Sequence, residues 1–505
     1  MYSFLLAIFF IIYTIYTYIH RRSSHHNNKS SRKLPPGPSP YPIIGNLLEI
    51  GSDPLLSLTN LSKTYGPIMS VKLGTRTAIV ISSTAAAKEV LHNNDLALSG
   101  RICPDSIRAV DHHVTSMAWI PISSQWRALR KACNTNIFSS LRLDSTQLLR
   151  HKKVGDLLEF VEKCSRNGDV LDVGRAAFTT VLNSLSNTLF SLDFAEFGSG
   201  KSLEYQELLK GMVDEAGVPN LVDAFPILSF LDPQGVRKRT ADYYSKFLEL
   251  LDGIIEERLR FNALKKTMKL SKEYKDVLDS FIELFQDESS ELKRIDIQHL
   301  FLDLFIAGTD TSSSTLEWIM AELIHNPEKM AKAKAELEQI IGKNGKIEEH
   351  QVSNFPYLQA VVKETLRLHA PAPFLLPHTA NEDVELCGFL IPKDAQILVN
   401  VWAMGRDPSI WDNPHVFTPE RFLDTEIDYR GSGRDFRFIP FSAGRRTCPG
   451  LPLASRIVTF MLASLLYHFD WKLPDGLKPE DMDMSQNYGI TLHKIQPLRV
   501  IPIKV

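Results

Sequence analysis

Helical spacing dominates the pattern of apolar and polar positions along this chain. Over Leu203 to Glu215, Ala241 to Arg258, Val277 to Phe285, Ile297 to His325 and Pro327 to Ile341, apolar residues recur every three or four positions, the repeat that lays a stripe along one helix face. Two shorter runs, Ile68 to Leu73 and Thr77 to Ile81, are rich in β-branched residues and flank Gly74-Thr75-Arg76, which predicts a small hairpin. The expected fold class is mainly α with small β-sheets. One helix is interrupted in composition: a stripe of Ile297, Leu300, Phe301, Leu304 and Phe305 resumes at Leu316, Ile319, Met320 and Leu323 and stops at Asn326-Pro327. Between them lies Ala307-Gly308-Thr309-Asp310-Thr311-Ser312-Ser313-Ser314, where glycine and hydroxyl side chains weaken helix propensity and compete for backbone partners, so local distortion is expected. By itself the segment suits a kink or cap as well as a functional notch.

The first residues have a different pattern. Met1 to Ile19 carries no formal charge, close to the ~20 apolar residues that cross a bilayer as a helix. Tyr13, Tyr16 and Tyr18 cluster toward its far end, where amphipathic rings favour a membrane interface. Charges come after this run instead of preceding it and no small-residue cleavage site ends it, which predicts a retained transmembrane signal anchor over residues 1–20. Arg21, Arg22, Lys29, Arg32 and Lys33 then hold the body on the cytosolic side. Residues 21–42 read as a basic linker and a proline-rich hinge, Leu34 to Pro42, stiffened by fixed φ angles. Residues 43–505 form the body.

At 505 residues the chain exceeds the ~250 to 300 at which single cores stop growing, so several packed layers are expected. A net charge of -2 gives no electrostatic footprint for nucleic acid. Cys103, Cys133, Cys164, Cys387 and Cys448 are an odd set without zinc-type spacing, which argues against a disulfide framework or structural zinc and fits a reducing compartment. Cys448 stands apart. It lies in Phe441-Ser442-Ala443-Gly444-Arg445-Arg446-Thr447-Cys448-Pro449-Gly450, a cationic, glycine-bracketed loop before a long apolar segment. Guanidinium groups and a nearby helix N-terminus favour the thiolate, the form that ligates a metal, and Gly444 and Gly450 allow a flat group to approach the backbone.

The loop closely resembles the haem-binding loop of the cytochrome P-450 superfamily through Phe441, Gly444, Arg446, Cys448 and Gly450. The resemblance implies haem b (iron protoporphyrin IX) as cofactor, Cys448 as its iron ligand, and a cytochrome P-450 fold behind an N-terminal membrane anchor helix. Three further motifs stand in the expected order. Ala307 to Thr311 resembles the superfamily's distal helix: Ala307 and Gly308 would leave room above the haem, Thr311 would donate or relay a hydrogen bond to dioxygen, and Asp310 would pass protons inward. Ser312 stands where many relatives have threonine. Glu364 and Arg367, three apart on one helix face, resemble the ExxR helix, and Pro419 to Phe422 its downstream partner, implying a buried structural triad of Glu364, Arg367 and Arg421. Trp126 and Arg130 match the WxxxR helix and would donate to a haem propionate together with Arg446. His378 occupies a position where many members have arginine, so its propionate contact would depend on histidine protonation.

This resemblance covers Leu34 to Val505. Beyond the superfamily, Asp303 to Thr311, Val213 to Asp223 and Ala403 to Trp411 resemble plant microsomal members, the geraniol 8-hydroxylase-like family 76 in particular. The activity this implies is that of an NADPH- and O2-dependent monooxygenase of the endoplasmic reticulum membrane hydroxylating a small apolar terpenoid, a geraniol-type monoterpene alcohol or a diterpene. The alternatives are a phenolic amino acid or alkaloid precursor as substrate, or a reductase-independent isomerase, dehydratase or haem sensor. Matching the family's recognition segments gives pocket candidates Ile107, His112, His113 and Met117 before Trp126, and Phe305 and Ile306 on the distal helix. Leu375, Leu376, Ile490 and Leu492 complete them. With Asp111, the two histidines suit either a solvated loop or a polar substrate. No Gly-rich dinucleotide loop comes after a strand, so electrons must come from outside the chain, and the resemblance implies a membrane-bound NADPH-cytochrome reductase as their source; Arg127, Lys131 and Arg445 offer it a cationic face.

Overall fold

The computed structural model describes residues 33–268, 276–343, 345–429 and 435–505; the expected anchor and most of the basic linker lie outside the described residues. Helices supply most of the structure, and seven of them frame the site. They are α1 (Ser124–Asn136), α2 (Val173–Phe190), α3 (Gly200–Gly217), α4 (Val236–Met268), α5 (Arg294–His325), α6 (Pro356–Leu368) and α7 (Leu451–His468). The helices expected from periodicity all form, several with an extra turn at one or both ends.

The central helix, α5, is continuous through residues 307–314, against the expected distortion. Its hydroxyl groups fold back on the helix: Thr309 Oγ1 donates to the Phe305 carbonyl at 2.6 Å, Thr311 Oγ1 to Ala307 at 2.6 Å, Ser313 Oγ to Thr309 at 2.9 Å and Thr315 Oγ1 to Thr311 at 2.7 Å. They satisfy themselves without displacing the backbone ladder, and burial on both flanks outweighs the weak propensity. Toward one end Phe301 and Phe305 pack with Phe190, Phe194 and Phe247. Toward the other, Leu316, Ile319 and Leu323 join residues of α2, α6 and α7 in a second core. Each fully buried side chain of this size contributes ~1.5 to 3 kcal/mol. The start of α5 is fixed by Asp296, which accepts from the Lys293 amide and from Gln125 Nε2, both at 2.8 Å, tying it to α1. Although α7 is long and apolar enough to cross a membrane, its residues Ile457 to Leu466 are buried in that second core.

The expected hairpin, β1 (Ile68–Leu73) and β2 (Arg76–Ile81), is part of a larger sheet. With β3 (Gly100–Arg101), β4 (His378–Thr379) and β5 (Gln396–Val399) it has the order β1-β2-β5-β4-β3. β2 and β5 run parallel, Ala78 opposite Gln396, and β3 pairs with β4 so that Arg101 lies opposite His378. The proline-rich hinge is strapped along this sheet: Ser70 donates from its hydroxyl to the Pro35 carbonyl at 2.7 Å and from its amide to Pro36 at 2.8 Å. Gly37 passes so close that a Cβ there would lie 1.8 Å from the Ser70 oxygen.

Candidate active site

The cysteine loop is built by backbone closure and by arginines that fasten it to distant elements. The Cys448 amide donates to the Phe441 carbonyl at 3.0 Å, and Gly444 turns the chain with φ +69°. A Cβ on Gly444 would lie 2.0 Å from the Leu91 oxygen, so this glycine serves packing against the neighbouring segment and not the approach of a flat ligand. Gly450 has an ordinary helical φ of -79° and caps α7; unlike Gly444 it lacks the special geometry expected. Arg130 Nη2 donates to the Thr447 carbonyl at 2.6 Å. Arg446 donates to the carbonyls of Ser99, Met117 and Ile120 and lies over the Trp126 ring, whose indole N–H also reaches Met117, at 3.1 Å.

Cys448 is open only to the cavity it lines, and burial raises its thiol pKa above the ordinary value. The Gly450 and Leu451 amides at the start of α7, with Arg130, pull the other way without prevailing. The depressed thiol expected from the sequence is thus reversed, because desolvation of the thiolate outweighs the neighbouring donors until a metal takes the charge.

Opposite the sulfur, the cavity wall is the face of α5 bearing Asp303, Leu304, Ala307, Thr311 and Thr315. The chamber has a volume of about 270 Å³, and Met117, Leu375, Leu376, Val362, Leu366 and Phe441 give it an apolar lining. Its other end is basic. Arg101, missed by sequence reasoning, lines it, donates to the Leu376 and Pro377 carbonyls, and leaves Nε buried without a partner. Burial, aided by Arg446, pulls Arg101 down to about 9; burial, aided by Arg130, pulls Arg446 down to about 10. Among the described residues no carboxylate lies within ion-pair distance of Arg101, Arg130 or Arg446. Buried cations are stable when an anion shares their site. A flat cofactor with acidic side chains, its centre facing Cys448, fits this donor set.

His378 does not line the chamber. Its Nδ1 lies 2.8 Å from the Leu98 carbonyl and its Nε2 is buried without a partner. Burial, with Arg101 and Arg446 beside it, holds its pKa well below the ordinary value, so the ring is neutral, and it is Arg101, opposite it on the paired strand, that lines the chamber.

Asp310 and Thr311 are adjacent in sequence and face different spaces. Thr311 faces the cysteine chamber; Asp310 lines a second cavity of about 650 Å³ on the far side of α5. There its Oδ2 lies 3.2 Å from His493 Nε2, among Asp214 of α3, Glu317 and Lys494. Burial works to lower the His493 pKa, but Asp310, Glu317 and Asp214 together raise it. Gly308 faces α2, where a Cβ would meet Leu185 at an ordinary 3.6 Å; of the expected small pair only Ala307 opens the chamber.

Beneath the loop the expected triad is assembled. Glu364, fully buried on α6, accepts from Arg367 Nε and Nη2, both at 2.7 Å, and from Arg421 Nε at 3.0 Å and the Thr418 amide at 2.8 Å. Arg367 spends its remaining donors on the Gly405, Pro414 and Val416 carbonyls.

Of the pocket candidates, Met117, Leu375 and Leu376 line the chamber. Ile107 is buried in the α1–α4 core, Phe305 belongs to the phenylalanine cluster, and Ile306 packs beside it. Ile490 lines the second cavity, while Leu492 is buried and its carbonyl anchors Ser314 of α5 at 2.9 Å. His113 stays outside the chamber, and His112 is buried instead of solvated: it bonds to His299 and Asp303.

This chain belongs to the cytochrome P-450 family, whose model matches residues 35–499. It is therefore a monooxygenase with haem iron as cofactor. It is 50% identical over 474 residues to geraniol 8-hydroxylase of Swertia mussotii, covering 94% of each chain. It is 49% identical over 491 residues to geraniol 8-hydroxylase of Catharanthus roseus, covering 97% of this chain and 96% of the other. Cytochrome P-450 76AD1 of Beta vulgaris is 49% identical over 477 residues, with 94% and 95% covered.

Proposed function

We propose that the protein hydroxylates a monoterpenoid alcohol of geraniol type, with haem b held by Cys448, Arg101, Trp126, Arg130 and Arg446. The observation that carries this reading is the chamber itself: one sulfur at its base, Ala307 and Thr311 across from it, and apolar walls between. Two relatives named as geraniol 8-hydroxylases support the substrate class. When bound, sulfur-ligated haem iron supplies the activation of dioxygen. The chain supplies position and protons. Leu304, Leu375 and Leu376 exclude water and bury the substrate's carbons, and the Thr311 hydroxyl, resting on the Ala307 carbonyl, turns toward the chamber to donate. Asp310 collects protons from the polar second cavity and hands them inward, with His493 balancing its charge.

Electrons come from an NADPH-cytochrome reductase of the endoplasmic reticulum membrane, to which residues 1–20 anchor the chain. The exposed side chains of Ile227, Phe230 and Leu231 support a second membrane contact. They come just after Ala224, whose carbonyl accepts from Thr75 at 3.0 Å, and Gly74 donates in turn to Ile44, so Ile43 and Leu48 extend the same apolar surface.

The test is turnover of membranes holding this protein and a plant reductase with NADPH, oxygen and a panel of geraniol, an abietane-type diterpene and tyrosine. Hydroxygeraniol as the main product is expected; tyrosine as sole substrate would overturn the reading. Cys448→Ser should abolish both turnover and the red-shifted carbon monoxide spectrum of sulfur-bound iron. Retention of that spectrum would remove Cys448 from its role.

A further inference from the structure

Among the described residues one carboxylate lines the chamber, that of Asp303, and its position is unusually well determined. Residues 303, 307 and 311 recur at intervals of four, so Asp303 shares a helix face with Ala307 and Thr311. His112 Nε2 lies 3.0 Å from Asp303 Oδ1, and the Ser116 hydroxyl is 2.7 Å from Oδ1 and 2.9 Å from Oδ2. The Ala118 amide reaches Oδ2 at 3.4 Å. Behind His112, its Nδ1 meets His299 Nδ1 at 2.7 Å, and Tyr244 packs edge-on at 5.0 Å. Burial first, then His112, pulls His299 down to about 4, so it is neutral and able to donate to His112, which in turn donates to the carboxylate.

These partners approach from the loop side. The Asp303 side chain keeps 10% of its surface open, and it lines the chamber between Met117, Ala118 and Leu304. A carboxylate has about four lone-pair sites. Oδ2 holds only a shared hydroxyl and a long amide contact, which leaves it acceptor capacity within an otherwise apolar wall. A carboxylate oxygen with spare lone-pair capacity in an apolar wall gains from a bound group that brings it a further proton, since hydrogen bonds to a charged acceptor are the stronger ones.

We propose that Asp303 is the polar anchor of the substrate, accepting the hydroxyl proton of a terpenoid alcohol and holding that end of the molecule away from the reacting position. Eight helical residues separate Asp303 from Thr311, a rise of about 12 Å. An acyclic alcohol of roughly that length, tethered at Asp303, presents to the Cys448–Thr311 end the carbons farthest from its hydroxyl, so oxidation falls at the opposite end of the chain. The inference rests on the terpenoid-alcohol reading. It adds the residue that orients the alcohol.

The test is spectroscopic titration of the ferric, haem-loaded enzyme with three probes: geraniol, its methyl ether, and the hydrocarbon with a methyl in place of the alcohol carbon. In the wild type geraniol is expected to bind about tenfold more tightly than either of the others, since only it can donate a proton to the carboxylate. In Asp303→Ala the three affinities should converge while that for the hydrocarbon stays unchanged, and the single oxidation product should give way to a mixture. The carbon monoxide spectrum of each variant confirms haem ligation. Equal binding of all three probes by the wild type, or an undiminished alcohol preference in Asp303→Ala, overturns the anchor. The probe series on the wild type decides the matter even where the variant does not fold. Binding of none of the three probes would overturn the terpenoid reading and the anchor with it.

Discussion

Single residues in this protein are constrained by what touches them, and sequence position conveys that unevenly. Gly444 belongs to a recognisable loop, yet its constraint is the Leu91 carbonyl, which leaves no room for a side chain. Gly444→Ala should destabilise the fold by ~1 to 3 kcal/mol or more, from the left-handed φ and the clash together, read as a lowered thermal midpoint and reduced haem content. Unchanged stability would show that the segment carrying Leu91 yields freely. Asp303 makes the complementary point. It sits in a stretch whose family resemblance is plain, but its partner His112 lies 191 residues away, and nothing local announces that a histidine pair stands behind it. Arg101 is hidden in the sequence for the same reason: its role depends on a strand pairing with His378.

Elements are legible where they carry their own repeat. The stripes on α4 and α5 and the β1–β2 hairpin need no distant partner to be recognised. β5 does, since it enters the sheet parallel to β2 from more than three hundred residues further on, and a parallel neighbour leaves no turn signature. The distortion expected in α5 fails to form because propensity is a weak prior beside packing on both flanks. The triad of Glu364, Arg367 and Arg421 is the joint between α6 and the Thr418–Arg421 segment. Removing Glu364 strands two guanidinium groups, one of them fully buried, at ~3 to 5 kcal/mol. Glu364→Ala should therefore yield little haem-loaded protein. A replete, sulfur-ligated variant would assign the triad a lesser role.

At the scale of the whole molecule, the hydrogen bonds of Gly74 to Ile44 and of Thr75 to Ala224 tie the segment bearing exposed Ile43 and Leu48 to the one bearing exposed Ile227 and Phe230, before α4. Ile227 is 80% and Phe230 78% exposed. Ile227→Ser with Phe230→Ser should raise the KM for a terpenoid delivered in vesicles several-fold while leaving the KM in detergent solution unchanged, the pattern of a lost membrane contact. Equal KM values in both media would make the surface incidental. Running between two chambers, α5 gives them separate climates. On one flank the walls are mostly carbon; on the other they carry acids, a lysine and a histidine; and the partition is a single helix, about 10 Å across. On the proposed route from Asp310 to Thr311 protons would need to cross only that width, whereas an organic molecule would need another door, which would decouple the supply of one from the admission of the other.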